Sequence, residues 1–188
     1  MSAEKKYRWN RASFVLHALV GLAVIFQLSM ILLHESFKGT GLSHTVISAH
    51  KYVGIAAFFI LVIYVFGKLG GRFGGWRGAF PWLSQQGRRA IGADLKSLVK
   101  LRLPVRTCGG GLAGLVQGLG LLLILAMAST GFVSYILWNY LDLTDAAGYV
   151  FSWHRNLGVL VWWFVGGHVG MALIHRITPE RYWTVTAE

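Results

Sequence analysis

The chain has 188 residues, enough for one domain, and 55% of them are hydrophobic while only 13% are charged, which excludes an ordinary soluble domain. Glycine is abundant (24) and proline is rare (3), as is typical of closely packed membrane helices. The net charge of +11 does not indicate nucleic-acid binding, because Lys and Arg lie between the apolar runs and at their ends.

Four apolar runs predict four membrane-spanning helices, each long enough to cross a hydrocarbon core of about 30 Å. The first run follows a basic N-terminus, but no small-x-small cleavage motif precedes the next polar segment, so we interpret it as an uncleaved span. The sequence therefore predicts an all-α fold: an integral membrane four-helix bundle in which residues 1–188 form a single membrane domain. The spans cover about residues 12–33, 50–69, 112–138 and 154–175.

Basic residues are distributed unevenly among the segments that connect the spans. They concentrate in the N-terminal segment, in the loop 70–111 and in the C-terminal tail, whereas the polar loops 34–49 and 139–153 have almost none. With four spans, the three basic segments lie on one side of the membrane. The positive-inside rule then predicts that both termini are cytoplasmic.

The long basic loop contains a helical pattern of its own. Ile91, Leu95 and Leu98 share one stripe of a helix, while a second stripe is basic (Arg89, Lys96 and Lys100). This pattern predicts either a short amphipathic helix on the anionic inner leaflet or a solvated basic connector.

Histidines inside the spans are candidates for function, because an ionisable side chain in the membrane is costly without a partner. His154 and His168 lie fourteen residues apart on one face of the fourth span, about 21 Å along a helix. His50 opens the second span at the depth of His154, and His17 lies about 24 Å below the outer end of the first span, near the depth of His168. Two pairs at two depths are what two bis-histidine haems require.

Other interpretations of these histidines remain open. Each one alone is as compatible with an interhelical hydrogen bond as with metal ligation. A bare zinc or copper site is disfavoured, because its ligands would gather at one depth. Cys108 is the only cysteine and no C-x-x-C-H motif occurs, which excludes covalently attached haem.

Glycines and basic residues near the histidines fit the same interpretation. Three of the four histidines have a glycine four residues later, on the same helix face, where a flat macrocycle can approach the backbone. Helix packing alone also favours glycine there. Basic residues directly after the two outer histidines are candidates for contact with haem propionates. The set comprises Gly21, Gly54 and Gly158, with Lys51 and Arg155.

Four further polar residues have less specific interpretations. His34 and His44 are expected in the outer loop, with His34 a candidate for the mouth of the outer site. His175 is either an interfacial residue or a proton acceptor near a quinone head group. Gln27, inside the first span, is expected to join two helices.

Three segments resemble the bacterial cytochrome b561 family, within the wider group of four-helix dihaem b cytochromes that includes hydrogenase cytochrome b subunits. The segments are Val15-Leu16-His17, Ala49-His50-Lys51-Tyr52-Val53-Gly54 and Trp153-His154-Arg155-Asn156-Leu157-Gly158 with His168 fourteen residues later. The resemblance covers all four spans and implies two haem b groups. It pairs His17 with His168 and His50 with His154, the same pairs that the depths favour.

The resemblance also implies a role in quinone-linked electron transfer at the bacterial inner membrane. The electron would pass between the quinone pool and a periplasmic partner: a small reactant such as superoxide, a c-type cytochrome or a dehydrogenase subunit. The long 70–111 loop differs from compact stand-alone members, so a stand-alone oxidoreductase and a subunit of a complex both stay open. The alternative from another class is a non-redox transporter or assembly anchor that uses its intramembrane histidines.

Overall fold

The described part of the chain is all-helical. A computed structural model describes residues 11–71, 76–100, 102 and 110–178, and the basic N-terminal residues 1–10, Cys108 and the tail beyond residue 178 lie outside this part. Its elements are four long helices, α1 (Arg11–Ser36), α2 (Gly41–Leu69), α5 (Gly111–Asn139) and α6 (Thr144–Ile177), and three short ones: α3 (Trp76–Ala79), a 3₁₀ turn (Pro81–Leu83) and α4 (Gln85–Val99).

The four long helices confirm the predicted spans. Each is long and apolar enough to cross a membrane, and large hydrophobic side chains along them are exposed, as lipid-facing residues are. Only 6% of the most apolar window is buried in α1 and in α6, against 28% in α5. Among the spans, α5 is therefore the helix most enclosed by other protein groups.

The helices extend well beyond the apolar runs. The predicted polar loops 34–49 and 139–153 are wrong as loops, because α2 begins at Gly41 and α6 begins at Thr144. Hydropathy indicates the length of chain that lies in hydrocarbon, whereas a helix continues into the interface wherever its residues tolerate helical geometry. The remaining connections, 37–40 and 140–143, are tight turns in which Gly39 and Asp142 adopt positive φ (82° and 52°).

The chain divides into two compact units. The first contains Arg11–Gly67 and Leu123–Trp162, and the second contains the described residues of the ranges 68–122 and 163–178. Within the first unit α2 packs against α5, where the rings of Phe58 and Phe132 stack with centroids 4.7 Å apart.

Within the second unit, the loop segment packs against the start of α5. Ser84 caps α4 by accepting a hydrogen bond from the Gly87 N–H (3.0 Å), and the Asp94 carboxylate accepts one from the Leu112 N–H (2.7 Å). Side chains at Gly114 or Gly118 would collide with the backbone of residues 78 and 79. The predicted helix in the loop is therefore confirmed, and the Asp94 contact brings its middle to the first turn of α5.

Candidate functional site

His50 and His154 come together in the first unit. His50 lies on α2 and His154 on α6, and their ring centroids are 6.2 Å apart with an interplanar angle of 74°. In the described part of the chain, no group of three or more His, Cys, Asp and Glu residues forms a metal site. The two adjacent imidazoles offer two nitrogen donors, which suits a cofactor whose metal takes its other ligands from a macrocycle.

The His154 ring is fixed by α5. Its Nδ1 lies 2.9 Å from the Met127 carbonyl oxygen. Because a carbonyl only accepts, Nδ1 carries the proton and Nε2 keeps the lone pair that a metal needs. A Cβ on Gly131 would lie 2.8 Å from His154 Cε1, so this glycine makes room for the ring. Phe151, one turn earlier on α6, stacks on it at 6.1 Å.

The surroundings of His50 differ from those of His154. The Nδ1 atom of His50 is buried and has no hydrogen-bond partner. The side-chain amide of Gln27 donates to the His50 main-chain carbonyl at 3.0 Å, which confirms that Gln27 joins two helices. A Cβ on Gly54 would lie 3.1 Å from Gln27 Nε2, so the Gln27 amide fills the space beside this glycine.

Both imidazoles line one cavity of about 690 Å³, within the volume range of ligand pockets (about 300–1,000 Å³). Its walls come from all four long helices and are mainly aliphatic and aromatic. Most of its polar groups are amides, hydroxyls and the two histidines. The polar and charged residues of the lining are Gln27, His50, Lys51, Ser134, Tyr135, Asn139, His154, Arg155 and Asn156.

The other predicted residues of the outer site lie around this cavity. Lys51 and Arg155 line it and are exposed, so their charges reach both the cavity and solvent. Gly54 and Gly158 line it as well, with the Met127 methyl group 3.6 Å from a Cβ built on Gly158. Gly21, which follows His17 of the predicted inner pair, has open space beside it and is not part of this lining.

The two predicted inner ligands belong to different units. His17 lies half-buried on α1 in the first unit, and His168 lies on α6 in the second. The His168 ring stacks on Phe164, one turn earlier, with centroids 5.6 Å apart and an angle of 18°. A side chain on Gly120 would collide with the Phe164 ring, so α5 makes room for this aromatic. The pairing of His17 with His168 stays a prediction.

The remaining histidines lie outside the cavity lining. His34 is in the last turn of α1, and its Nδ1 is 2.9 Å from Ser43 Oγ at the start of α2. His44 is exposed on α2. His175 Nδ1 is 2.9 Å from the Met171 carbonyl of its own helix. None of these contacts tests the suggested quinone role of His175.

Sequence reasoning missed Gly131 and Met127, the two residues of α5 that hold His154. They lie 23 and 27 positions before the histidine, and no pattern along one helix relates them to it. The only available signal was the high glycine content of the third span. Glycines indicate that a neighbouring helix approaches closely, but they do not identify the side chain that fits beside them.

A four-span helical membrane protein with two imidazoles lining one apolar cavity has the features of a membrane haem protein. The family model described as prokaryotic cytochrome b561 matches residues 8–183. The chain belongs to this family, which binds haem b and transfers electrons in the membrane. It is a multi-pass protein of the bacterial inner membrane. No curated protein and no solved structure matches the chain.

Proposed function

We propose that this protein is a dihaem b cytochrome that transfers electrons across the inner membrane between the quinone pool and a periplasmic partner. His50 and His154 would hold the iron of the outer haem, and His17 and His168 would hold that of the inner one. Two ligands per iron leave no open position for oxygen chemistry, which favours electron transfer over oxygen activation.

The spacing of the outer imidazoles is the observation that carries this proposal. A metal–imidazole bond is about 2.0 Å, and the coordinating nitrogen lies about 1.2 Å from the ring centre, so two imidazoles on one metal have centroids roughly 6 to 6.5 Å apart. The observed separation of His50 and His154 is 6.2 Å. The apolar cavity that both rings line supports the same assignment.

The chain contributes ligands, orientation and charge to the outer site. When bound, haem b supplies a one-electron couple between ferrous and ferric iron. The bond from His154 Nδ1 to the Met127 carbonyl fixes the tautomer that leaves Nε2 free for the metal. Lys51 and Arg155 supply cations for haem propionates and give the cavity mouth a positive potential.

The direction across the membrane follows from the basic segments. With both termini cytoplasmic, His50 and His154 lie toward the periplasm and the inner pair lies toward the cytoplasm. His50 and His154 would then hold the haem nearer to the periplasmic reactant, c-type cytochrome or dehydrogenase subunit. We place no quinone site among the described residues.

We also propose that α4 rests on the anionic inner leaflet. Leu95 and Val99 are exposed apolar residues of α4 (48% and 85%), and exposed Arg89 and Lys96 lie beside them, a combination suited to the headgroup boundary. A nitroxide at position 99 of the protein in nanodiscs tests this placement. Greater collision with oxygen than with a water-soluble nickel relaxant supports it, and the reverse contradicts it.

Spectroscopy with matched histidine variants tests the proposed function. The purified protein should show a b-type α band in its reduced-minus-oxidised spectrum and contain two haems per chain. His154→Ala should lower this to one, whereas His44→Ala, which removes an exposed histidine of α2, should leave two. A colourless protein, or unchanged haem content in His154→Ala, would sink the proposal.

The quinone connection needs a separate measurement. A soluble quinol such as duroquinol should reduce the haems of the purified protein, and in proteoliposomes the reduced haems should be reoxidised by an impermeant oxidant. Haems that stay oxidised with every quinol would remove the quinone pool from the proposal while leaving haem binding intact.

A further inference from the structure

We propose that Gln27 is a positioning residue for the outer haem, because its side-chain oxygen accepts the Nδ1 proton of His50. This inference rests on the proposed function, since it concerns how a histidine ligand is held. Gln27 lies on α1, whereas His50 lies on α2.

Gln27 is already anchored to His50 through the other atom of its amide. Gln27 Nε2 donates to the His50 main-chain carbonyl at 3.0 Å. This contact also fixes which way the amide points, because a carbonyl cannot donate to Gln27 Oε1. The absence of a side chain at Gly54 allows the approach, with Nε2 only 3.1 Å from where a Cβ would lie.

Two buried atoms next to this contact lack partners. Gln27 Oε1 accepts from no group and His50 Nδ1 contacts no acceptor, although both atoms are buried. A buried polar atom without a partner is costly, and native structures rarely keep one without a reason. Gln27 Oε1 is an acceptor, and His50 Nδ1 becomes a donor once it carries a proton. The two residues are already joined by a hydrogen bond, so these two atoms can complement each other.

Coordination of a metal by Nε2 would place the single proton of the neutral imidazole on Nδ1. When Nε2 of a histidine binds a metal, Nδ1 is the protonated nitrogen, and it almost always donates to a carbonyl, a carboxylate or water. His154 meets this requirement with the Met127 carbonyl. In the proposed arrangement His50 meets it with Gln27 Oε1, once the amide has rotated toward the ring. The alternative acceptor is the main-chain carbonyl of Gln27, which makes no hydrogen bond to His50 Nδ1 in this structure.

Midpoint potentials of the two haems separate this role from a purely structural one. An acceptor on Nδ1 makes the imidazole more electron-donating and stabilises ferric iron. Gln27→Leu removes the acceptor and should raise the potential of the outer haem, whereas Gln27→Glu keeps an acceptor, adds charge and should lower it. The potential of the inner haem should stay unchanged in both. His154→Ala, which loses the outer haem, identifies which potential belongs to which haem.

Gln117→Leu is the matched control, because it makes the same substitution in another span and should leave the outer potential unchanged. If Gln27→Leu leaves the outer potential at the wild-type value, the acceptor is the main-chain carbonyl and the inference is overturned. A shift in the same direction for Leu and Glu overturns it as well. If Gln27→Leu does not retain the outer haem, the outer potential of Gln27→Glu is the test: a lower value supports the inference, and an unchanged or higher value overturns it. A wild-type protein without haem would instead overturn the proposed function.

Discussion

Different contacts surround the two histidines of α6 in the structure, although they lie on one helix fourteen residues apart. His154 is held from outside its helix, by the Met127 carbonyl and by the space that Gly131 leaves on α5. His168 stacks on Phe164 of its own helix, and it is Phe164 that occupies the space beside a glycine of α5, Gly120.

In both units, therefore, a glycine of α5 makes room for an aromatic ring of α6. In one unit this ring belongs to the proposed ligand His154, and in the other it belongs to Phe164, the neighbour of the proposed ligand His168. A hydrogen bond fixes the tautomer and the direction of an imidazole, whereas stacking mainly restricts the plane of its ring. We expect the outer haem to depend sharply on α5, and the inner haem to respond more gradually.

The largest effect is expected from Gly131→Ala. The new Cβ would lie 2.8 Å from His154 Cε1 and 3.0 Å from Nδ1, so the ring must leave its position. We predict that haem content falls from two to one per chain, measured by the pyridine haemochrome assay. Gly148→Ala is the control, because this glycine of α6 has open space beside it. Two haems retained in Gly131→Ala would show that α5 does not position His154.

Gly120→Ala should have a smaller and different effect. A Cβ there collides with the Phe164 ring, which must shift and carry the stacking surface of His168 with it. We predict that both haems are retained while the inner haem changes its potential, by tens of millivolts if the pair contributes about 0.5–1.5 kcal/mol. A redox titration measures the potential of the inner haem. If Gly120→Ala instead lost one haem, as Gly131→Ala is expected to, the proposed difference between the two sites would be contradicted.

Substitutions of the stacked phenylalanines sharpen the comparison further. Phe164→Leu removes the ring on which His168 stacks, and Phe151→Leu removes the ring on which His154 stacks. Because His154 keeps its bond to Met127, we predict a smaller change at the outer haem for Phe151→Leu than at the inner haem for Phe164→Leu. The electron paramagnetic resonance signals of the oxidised protein report both changes. Equal or reversed changes would show that the hydrogen bond does not control the ring.

The smallest effect is expected from Thr130→Val. The Thr130 hydroxyl lies 2.8 Å from the Met127 carbonyl and 3.0 Å from the Ala126 carbonyl, so it competes with His154 for one acceptor. Its removal should strengthen the histidine bond and lower the outer potential by less than about 60 mV, which corresponds to a tenfold change for one electron. A rise in that potential would contradict this account of the competition.

Much of the architecture was predictable from the sequence. Hydropathy alone identified four spans. The apolar and basic stripes suggested either a helix or a solvated connector in the basic loop, and the helix is observed as α4. The ends of the helices were not predictable in this way, because the polar first turns of α2 and α6 lie outside hydrocarbon but remain helical.

For the candidate site, the sequence could predict the depth of each residue along its own helix but not the contacts between helices. Equal depths indicated that His50 and His154 should meet, and their rings do lie together. The spacing of Gly54 after His50 suggested room for a macrocycle. Gly54 does line the cavity, and the amide of Gln27 also lies beside it, which the spacing did not indicate. Contacts between helices depend on their rotation and on rotamers, which the spacing of residues along one chain does not contain.

Near-infrared magnetic circular dichroism of the oxidised protein, combined with a haem assay, tests the central claim most directly. Charge-transfer bands in this region distinguish two imidazole ligands from imidazole with methionine, and low-spin iron from high-spin iron. We predict two haem b groups per chain, both low-spin and both with two imidazole ligands. A protein with a single haem, or with a high-spin signal, would contradict the account. So would a ligand other than imidazole at the outer haem, which is the haem that is lost in His154→Ala.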